Sequence, residues 1–444
     1  MNRNLTSGSV LKNIIFFSLP YLLSYFLQTL YGMADLFIIG KFGSVADITA
    51  VSVGSQVMHM LTVIIVGLAM GSTVTVSLCV GADDKKRAAV AIGNTATMFL
   101  GISLLLTPLL IALVRSIVGI MATPEEAAEG MVRYLMICFA GIPFITAYNI
   151  ISSVFRGMGD SKSPMYFIAV ACVSNIILDA VFMGAMNMGP AGAALGTILS
   201  QAISVIISFI VIKKRDFGIP LKKSDFVPKA GIMAQMLKIG FPVALQDGFI
   251  QVSFVVITII ANNRGLNDAA AVGIVEKIIG ILFLVPSSML SAVSALAAQN
   301  VGAGKPERAR QTLWYAICIT GAFGFAVAAV LQFVPSQAVA IFKNDPMVSA
   351  LGGEYLKSYS FDCFLAGIHF CFSGYFCAIE KSGISFLHNV LSIVFARIPG
   401  AYFASKMFPH TLYPMGLAAP AGSLLSVIIC VIAYKIITDK EKKK

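Results

Sequence analysis

The sequence predicts an all-α polytopic membrane protein in which twelve spanning helices form two parallel six-helix repeats. Three observations predict it. Of the 444 residues, 58% are hydrophobic and 12% charged, too few charges for a soluble surface, where about 25% of residues are charged. The apolar residues gather into stretches as long as the roughly 20 residues a helix needs to cross a bilayer. The second half of the chain also repeats the first at a nearly fixed offset, the signature of duplication. Soluble enzymes, disulfide-stapled secreted domains and disordered tails are excluded. The formal charge of +11 is spread among apolar segments, where basic residues act as topology signals, so no nucleic-acid partner is expected.

Taken in order, the spans fall near 13–40, 47–80, 88–115, 131–155, 164–187 and 191–212, then 236–261, 269–299, 309–334, 350–379, 384–407 and 411–437. Several exceed 25 residues, which predicts tilt or ends that project beyond the lipid. Arg3 and Lys12 precede the first run as in a secretory leader, but the run continues to Ile39 without a small-x-small cleavage site and so reads as a retained helix. Dense charge with Pro220 and Pro228 marks one linker near the midpoint. The expected organisation is an N-terminal lobe over 1–212, a cytoplasmic charged linker over 213–230 and a C-terminal lobe over 231–444.

The repeat is visible residue by residue. Pro20 matches Pro242 and Gly43 matches Gly265, both 222 residues on, while Val80-Gly81-Ala82 and Ala88 match Val301-Gly302-Ala303 and Ala309 at 221. Six helices per copy return the chain to the same side, so the copies are parallel and related by an axis along the membrane normal. Counting Lys and Arg in alternate loops gives 23 on the side of both termini and the linker and 7 on the other. The positive-inside rule then makes the termini and the linker cytoplasmic.

Cysteine and loop motifs add little. The eight cysteines lie in apolar stretches without metal spacing and read as small buried hydrophobes. The loops after Gly81 and Gly302 are basic and glycine-containing but lack the phosphate-binding pattern, so ATP is not implied. Asn262-Asn263 with Gly265 reads as a helix stop.

Charges inside spans carry the functional signal, because placing one at the centre of a membrane helix costs about 2.5–3.5 kcal/mol on insertion scales. Asp179 lies near the middle of the fifth span, and Asn175, four residues earlier, shares its helical face. No Lys or Arg lies in the interior of a first-half span, so Asp179 has no obvious ion partner, as a proton-coupled carrier requires. The competing structural role is a hydrogen bond to Asn175 as glue between helices. Asp35, far along the first helix, reads equally as a second site acid or as an interfacial aspartate. In the second half, Glu276 beside Lys277, together with Asp247 and Arg397, reads as a set of paired structural ions. His59 and His369 read as hydrogen-bonded core histidines, with proton shuttling as the alternative.

Leu19-Pro20 with Asp35 and Ile39-Gly40-x-x-Gly43, Phe155-Arg156-Gly157-x-Gly159-Asp160, Asn175-x-x-x-Asp179, Gly192-Ala193-Ala194 and Gln299-Asn300-x-Gly302-Ala303-Gly304 follow one another along nearly the whole chain. In this order the sequence resembles the multidrug and toxic compound extrusion (MATE) transporters, the DinF-like branch in particular. Cys377-Ala378 stands where the second half would carry the Arg-Gly element. The resemblance implies a V-shaped pair of six-helix lobes and a secondary antiporter, not an enzyme, that exports amphipathic organic cations in exchange for protons or sodium. It assigns Asp35, Asn175, Asp179 and Thr197 to the coupling site, with sodium held by the same four residues in the sodium version. Asn149, Asp247 and Glu276 are secondary candidates. The expected setting is a monomer in the plasma (inner) membrane, with no cofactor beyond the coupling ion, a small organic cation as substrate and the lipid bilayer as partner. Rival readings are a flippase for lipids or lipid-linked precursors, which would favour a basic cavity, a polytopic membrane enzyme, which would need a polar cluster at a membrane face, and a channel.

Overall fold

The computed structural model describes residues 5–215, 218–343 and 345–442. Arg3, Asp216, Lys443 and Lys444 of the charge pattern lie outside the described residues, as does the side chain of Lys442. Every regular element among the described residues is helical. The first seven helices are α1 (Val10–Phe42), α2 (Val45–Gly81), α3 (Lys85–Ile120), α4 (Glu125–Ala140), α5 (Ile142–Gly157), α6 (Lys162–Asp179) and α7 (Gly189–Lys214). A 3-10 turn, Lys223–Phe226, precedes α8 (Ala230–Asn262), α9 (Leu266–Leu282), α10 (Leu284–Gly302) and α11 (Pro306–Phe333). The chain ends with α12 (Pro335–Ala340), α13 (Pro346–Tyr359), α14 (Phe361–Ala378), α15 (Ser382–Ser392), α16 (Ile398–Met407), α17 (Tyr413–Gly416) and α18 (Ala418–Lys442).

Helix starts follow local chemistry. Ser44 and Asp47 form a reciprocal capping box at α2, Asp84 accepts from the Arg87 N–H at α3, and Asp345 accepts from two backbone N–H groups at α13. Among the described residues, eleven helical stretches are long and apolar enough to span a membrane, and the bent pair α4–α5, angled at 49°, raises the count to twelve. That bend occupies the expected fourth span. At its break, a Cβ on Gly141 would lie 2.2 Å from the Ile198 side chain, so only glycine permits the approach of α7. The expected tenth span is interrupted at Ser360, between α13 and α14, while α9 and α10 meet at Phe283 within one span, Leu266–Gly302.

The chain divides into two compact units, one holding Leu19–Gly240 and the other Thr6–Ser18 with the residues from Phe241 onward. Both divisions fall inside helices, next to Pro20 and Pro242. In the first unit, Ile39, Val51, Tyr134, Leu135, Phe139 and Ile142 form one buried cluster. Phe155, Phe167, Val205 and Met236 belong to another. In the second unit the core gathers around Ile257, Val275, Leu356, Ala401 and Met415. Large apolar side chains such as Leu105, Ile206, Phe325 and Phe333 are exposed, the surface expected where lipid replaces water and small, close-packed interfaces hold helices together.

The linker is strapped down. Asn94, fully buried in α3, donates to the Asp225 and Val227 carbonyls at 3.0 and 3.2 Å and accepts from the Lys229 N–H at 2.6 Å, while the Thr97 hydroxyl donates to the Phe226 carbonyl at 2.7 Å. Two sequence expectations change. Cys318 is exposed, unlike the other seven cysteines, and His59 is exposed on α2 instead of sitting in the core. An apolar helix context does not reveal which face meets the bundle.

Candidate functional site

Within the first unit, α1, α6 and α7 bring Asp35, Asn175, Asp179 and Thr197 together. Asp35 is 5% exposed, Thr197 8%, and Asn175 and Asp179 are fully buried. The Thr197 hydroxyl donates to Asp35 Oδ2 at 3.3 Å. Asp179 and Asn175 are the other side chains that act on the Asp35 carboxylate. Both oxygens of Asp179, Asp35 Oδ1 and both amide atoms of Asn175 have no hydrogen-bond partner among the described residues. None of the ion pairs among the described residues involves either carboxylate. Two neighbouring buried carboxylates without a basic partner need a proton or a cation between them.

Local backbone explains the placement. Asp179 is the last residue of α6 proper, and a π-helical segment, Ala180–Ala185, follows it at once. Such wide turns concentrate at functional sites because they re-aim side chains and leave backbone groups loosely bonded. From α7, Gly196 makes room: a Cβ there would lie 1.9 Å from Asp179 Oδ1. The donors are all oxygen apart from the Asn175 amide nitrogen, and a sodium ion would be held by Asp35, Asp179, the Asn175 amide oxygen and Thr197, with protons competing for the same carboxylates.

The other candidates lie elsewhere. Asn149, 8% exposed, donates to the Ile145 carbonyl of its own helix at 2.8 Å. Asp247 and Glu276 belong to the second unit. There the expectation of paired ions is not met. Glu276 accepts from the Thr258 hydroxyl at 3.4 Å. Arg397 bonds the Tyr359 hydroxyl and stacks over the Phe254 ring at 4.8 Å, with no carboxylate in ion-pair contact. An aromatic face and a phenol stand beside this half-buried guanidinium where an acid was expected, and its Nε has no hydrogen-bond partner among the described residues. His369, 5% exposed, faces the Ser423 hydroxyl at 3.3 Å and lies beside His388, as the core reading expects.

Sequence reasoning missed two participants. Tyr31 has Asp35, Asp179 and Tyr148 among its electrostatic neighbours; its position one turn before Asp35 was the available signal. Gly196 had no signal, because its role depends on how closely α7 approaches α6.

Fold and site define a multi-span membrane transporter built on an internal duplication. The MatE family model matches residues 20–181 and again 242–403, two copies at the 222-residue offset. The chain is 30% identical over 397 residues to a probable multidrug resistance protein, YpnP, of Bacillus subtilis strain 168, covering 89% of this chain and 88% of that one. A FAD transporter of Shewanella oneidensis is 25% identical, covering 95% of this chain and 93% of its own length. The solved outward-facing conformation of a multidrug resistance MATE family transporter superposes with a TM-score of 0.93 at 20% identity, covering 100% of this chain and 99% of that chain. The protein belongs to the MatE family; it is a transporter and not an enzyme.

Proposed function

We propose that the protein is a secondary antiporter that exports amphipathic organic cations from the cytoplasm in exchange for protons or sodium, with Asp35 and Asp179 as the coupling carboxylates. One observation carries this reading: two buried carboxylates from different helices adjoin each other without a basic partner. A site that gains or loses a proton or a sodium ion changes charge, and a carrier couples when that change alters its preference between two conformations. Linkage requires that ion and substrate then weaken each other by the same factor. Asn175 and Thr197 orient the carboxylates and complete an oxygen shell for sodium. The likeness to multidrug transporters supports the direction of transport, and the plasma membrane is the expected location.

The test is ethidium flux in proteoliposomes with proton and sodium gradients imposed separately. Export driven by at least one gradient, and lost in Asp179→Asn, is expected. Export that ignores both gradients overturns the reading.

A further inference from the structure

Buried polar atoms without protein partners do not stop at the carboxylates. Gln201 Oε1, the Tyr148 hydroxyl and the Ser152 hydroxyl also have no hydrogen-bond partner among the described residues, in side chains that are 6%, 2% and 1% exposed. The Ser152 hydroxyl is unlike its neighbours, since Ser24, Thr75 and Thr95 bond the carbonyl four residues back at 2.7, 2.8 and 2.8 Å, the usual resort of a helical hydroxyl.

Cross-helix contacts place these atoms on successive levels of the first unit. Thr197 meets Asp35, and Gly196 faces Asp179. One turn further along α7 comes Gln201, and Asn175 lies one turn back along α6. Ser204 then donates to the Phe167 carbonyl at 2.8 Å. Tyr31 has Asp35, Asp179 and Tyr148 all among its electrostatic neighbours. Tyr148 has Ser152, Gln28 and Arg156 as its polar neighbours. At the far end the Arg156 guanidinium lies over the Tyr21 ring at 4.5 Å. From Asp35 to Tyr21, α1 advances about 21 Å at its ordinary rise per residue.

We propose that these groups line a hydrated proton route from the carboxylate pair to the cytoplasmic end of the first unit, and that Arg156 closes it. Buried polar atoms without protein partners are met by water. Each hydroxyl accepts one proton as it releases another, so an O–H bond forms where the previous one breaks, without redox change. Arginine cannot be deprotonated in a protein. Held by an aromatic face, it is a fixed positive charge that repels hydronium, as an arginine does in proton-excluding pores. The inference rests on the proton-coupled form of the proposed function. It adds a route from the site and a barrier that keeps protons from crossing without substrate.

The test needs no substrate. Protein is reconstituted in vesicles loaded with a pH-sensitive dye, and proton flux is followed under a pH gradient with potassium and valinomycin setting the potential. Arg156→Gln is expected to leak protons at least tenfold faster than wild type, Arg156→Lys to stay tight, and Arg156→Gln with Tyr148→Phe to return to within about twofold of wild type. An Arg156→Gln protein as tight as wild type, or a leak that Tyr148→Phe leaves unchanged, overturns the route. If Arg156→Gln does not yield monodisperse protein, Tyr21→Leu removes the ring beneath the guanidinium; a leak is again expected, and its absence again overturns the proposal. Failure of proton coupling itself is read separately, as wild-type ethidium export that ignores a pH gradient.

Discussion

Gly196 and Asp179 approach so closely that a single methyl on the glycine would lie 1.9 Å from the carboxylate oxygen Oδ1. The site is therefore shaped by an absence of side chain on α7 as much as by the acids on α1 and α6. Gly196→Ala is expected to displace the Asp179 carboxylate at an overpacking cost of about 1–3 kcal/mol. Gradient-driven ethidium export should fall at least tenfold while membrane insertion persists. Flux at matched expression checks it, and undiminished export would show that the carboxylate moves aside freely.

Asp179→Asn keeps the shape of the side chain and removes a membrane charge, so it should insert and fold as wild type does. Export driven by either gradient is expected to fall to background, with equilibrium ethidium binding retained. Flux and binding are measured on the same preparation. Full export at wild-type expression would move the coupling site to the second unit, where Asp247 and Glu276 are next in line.

The Thr197 hydroxyl donates to Asp35 Oδ2 at 3.3 Å, from the helix α7 that packs over the two acids. Thr197→Val keeps the branched shape and removes the donor, a loss worth about 1.5–3 kcal/mol for a bond to a charged acceptor. The concentration of the driving ion giving half-maximal export is expected to shift by about ten- to a hundredfold, since 1.4 kcal/mol is one decade. An unchanged dependence would remove Thr197 from the site.

Asn94 holds the linker by three hydrogen bonds to its backbone. Asn94→Ala leaves buried backbone groups unsatisfied, each costing about 1–3 kcal/mol. Limited proteolysis between Lys222 and Lys229 should accelerate severalfold. Unaltered cleavage would mean that Thr97 and the adjoining packing suffice.

Reporter fusions at Lys223 and at the C-terminus should both register as cytoplasmic, because the basic residues favour that side 23 to 7. Opposite locations for the two fusions would break the even count of spans.

What was legible in the sequence follows from the length scale of each signal. Spans and the duplication are written over tens of residues, and Asn175 with Asp179 is fixed by helical periodicity within one element. Asp35 was ambiguous because depth in a 33-residue helix is not set by sequence, and only α7 decides it, through Thr197. The breaks at Gly141 and Ser360 were hidden inside continuous apolar runs. Arg397 misled for a related reason: residue types announce a cation and several acids, but whether the cation rests on Phe254 and Tyr359 instead depends on packing among distant helices.

The division of α1 and α8 near Pro20 and Pro242 sets an order on biogenesis. Thr6–Ser18 is translated before the first unit, yet it belongs with the unit made after it, where Lys305 and Arg308 bond the Thr6 and Gly8 carbonyls at 2.9 and 3.1 Å. The first unit in turn is unfinished when α7 is complete. It still lacks Met236, which is fully buried and lies against Gly71, Ser72 and Thr95. A nascent chain released at the linker therefore carries an open slot along α2 and α3 until the opening turns of α8 are translated. The first unit thus waits on a segment translated after its own six spans, while the second holds one translated before them.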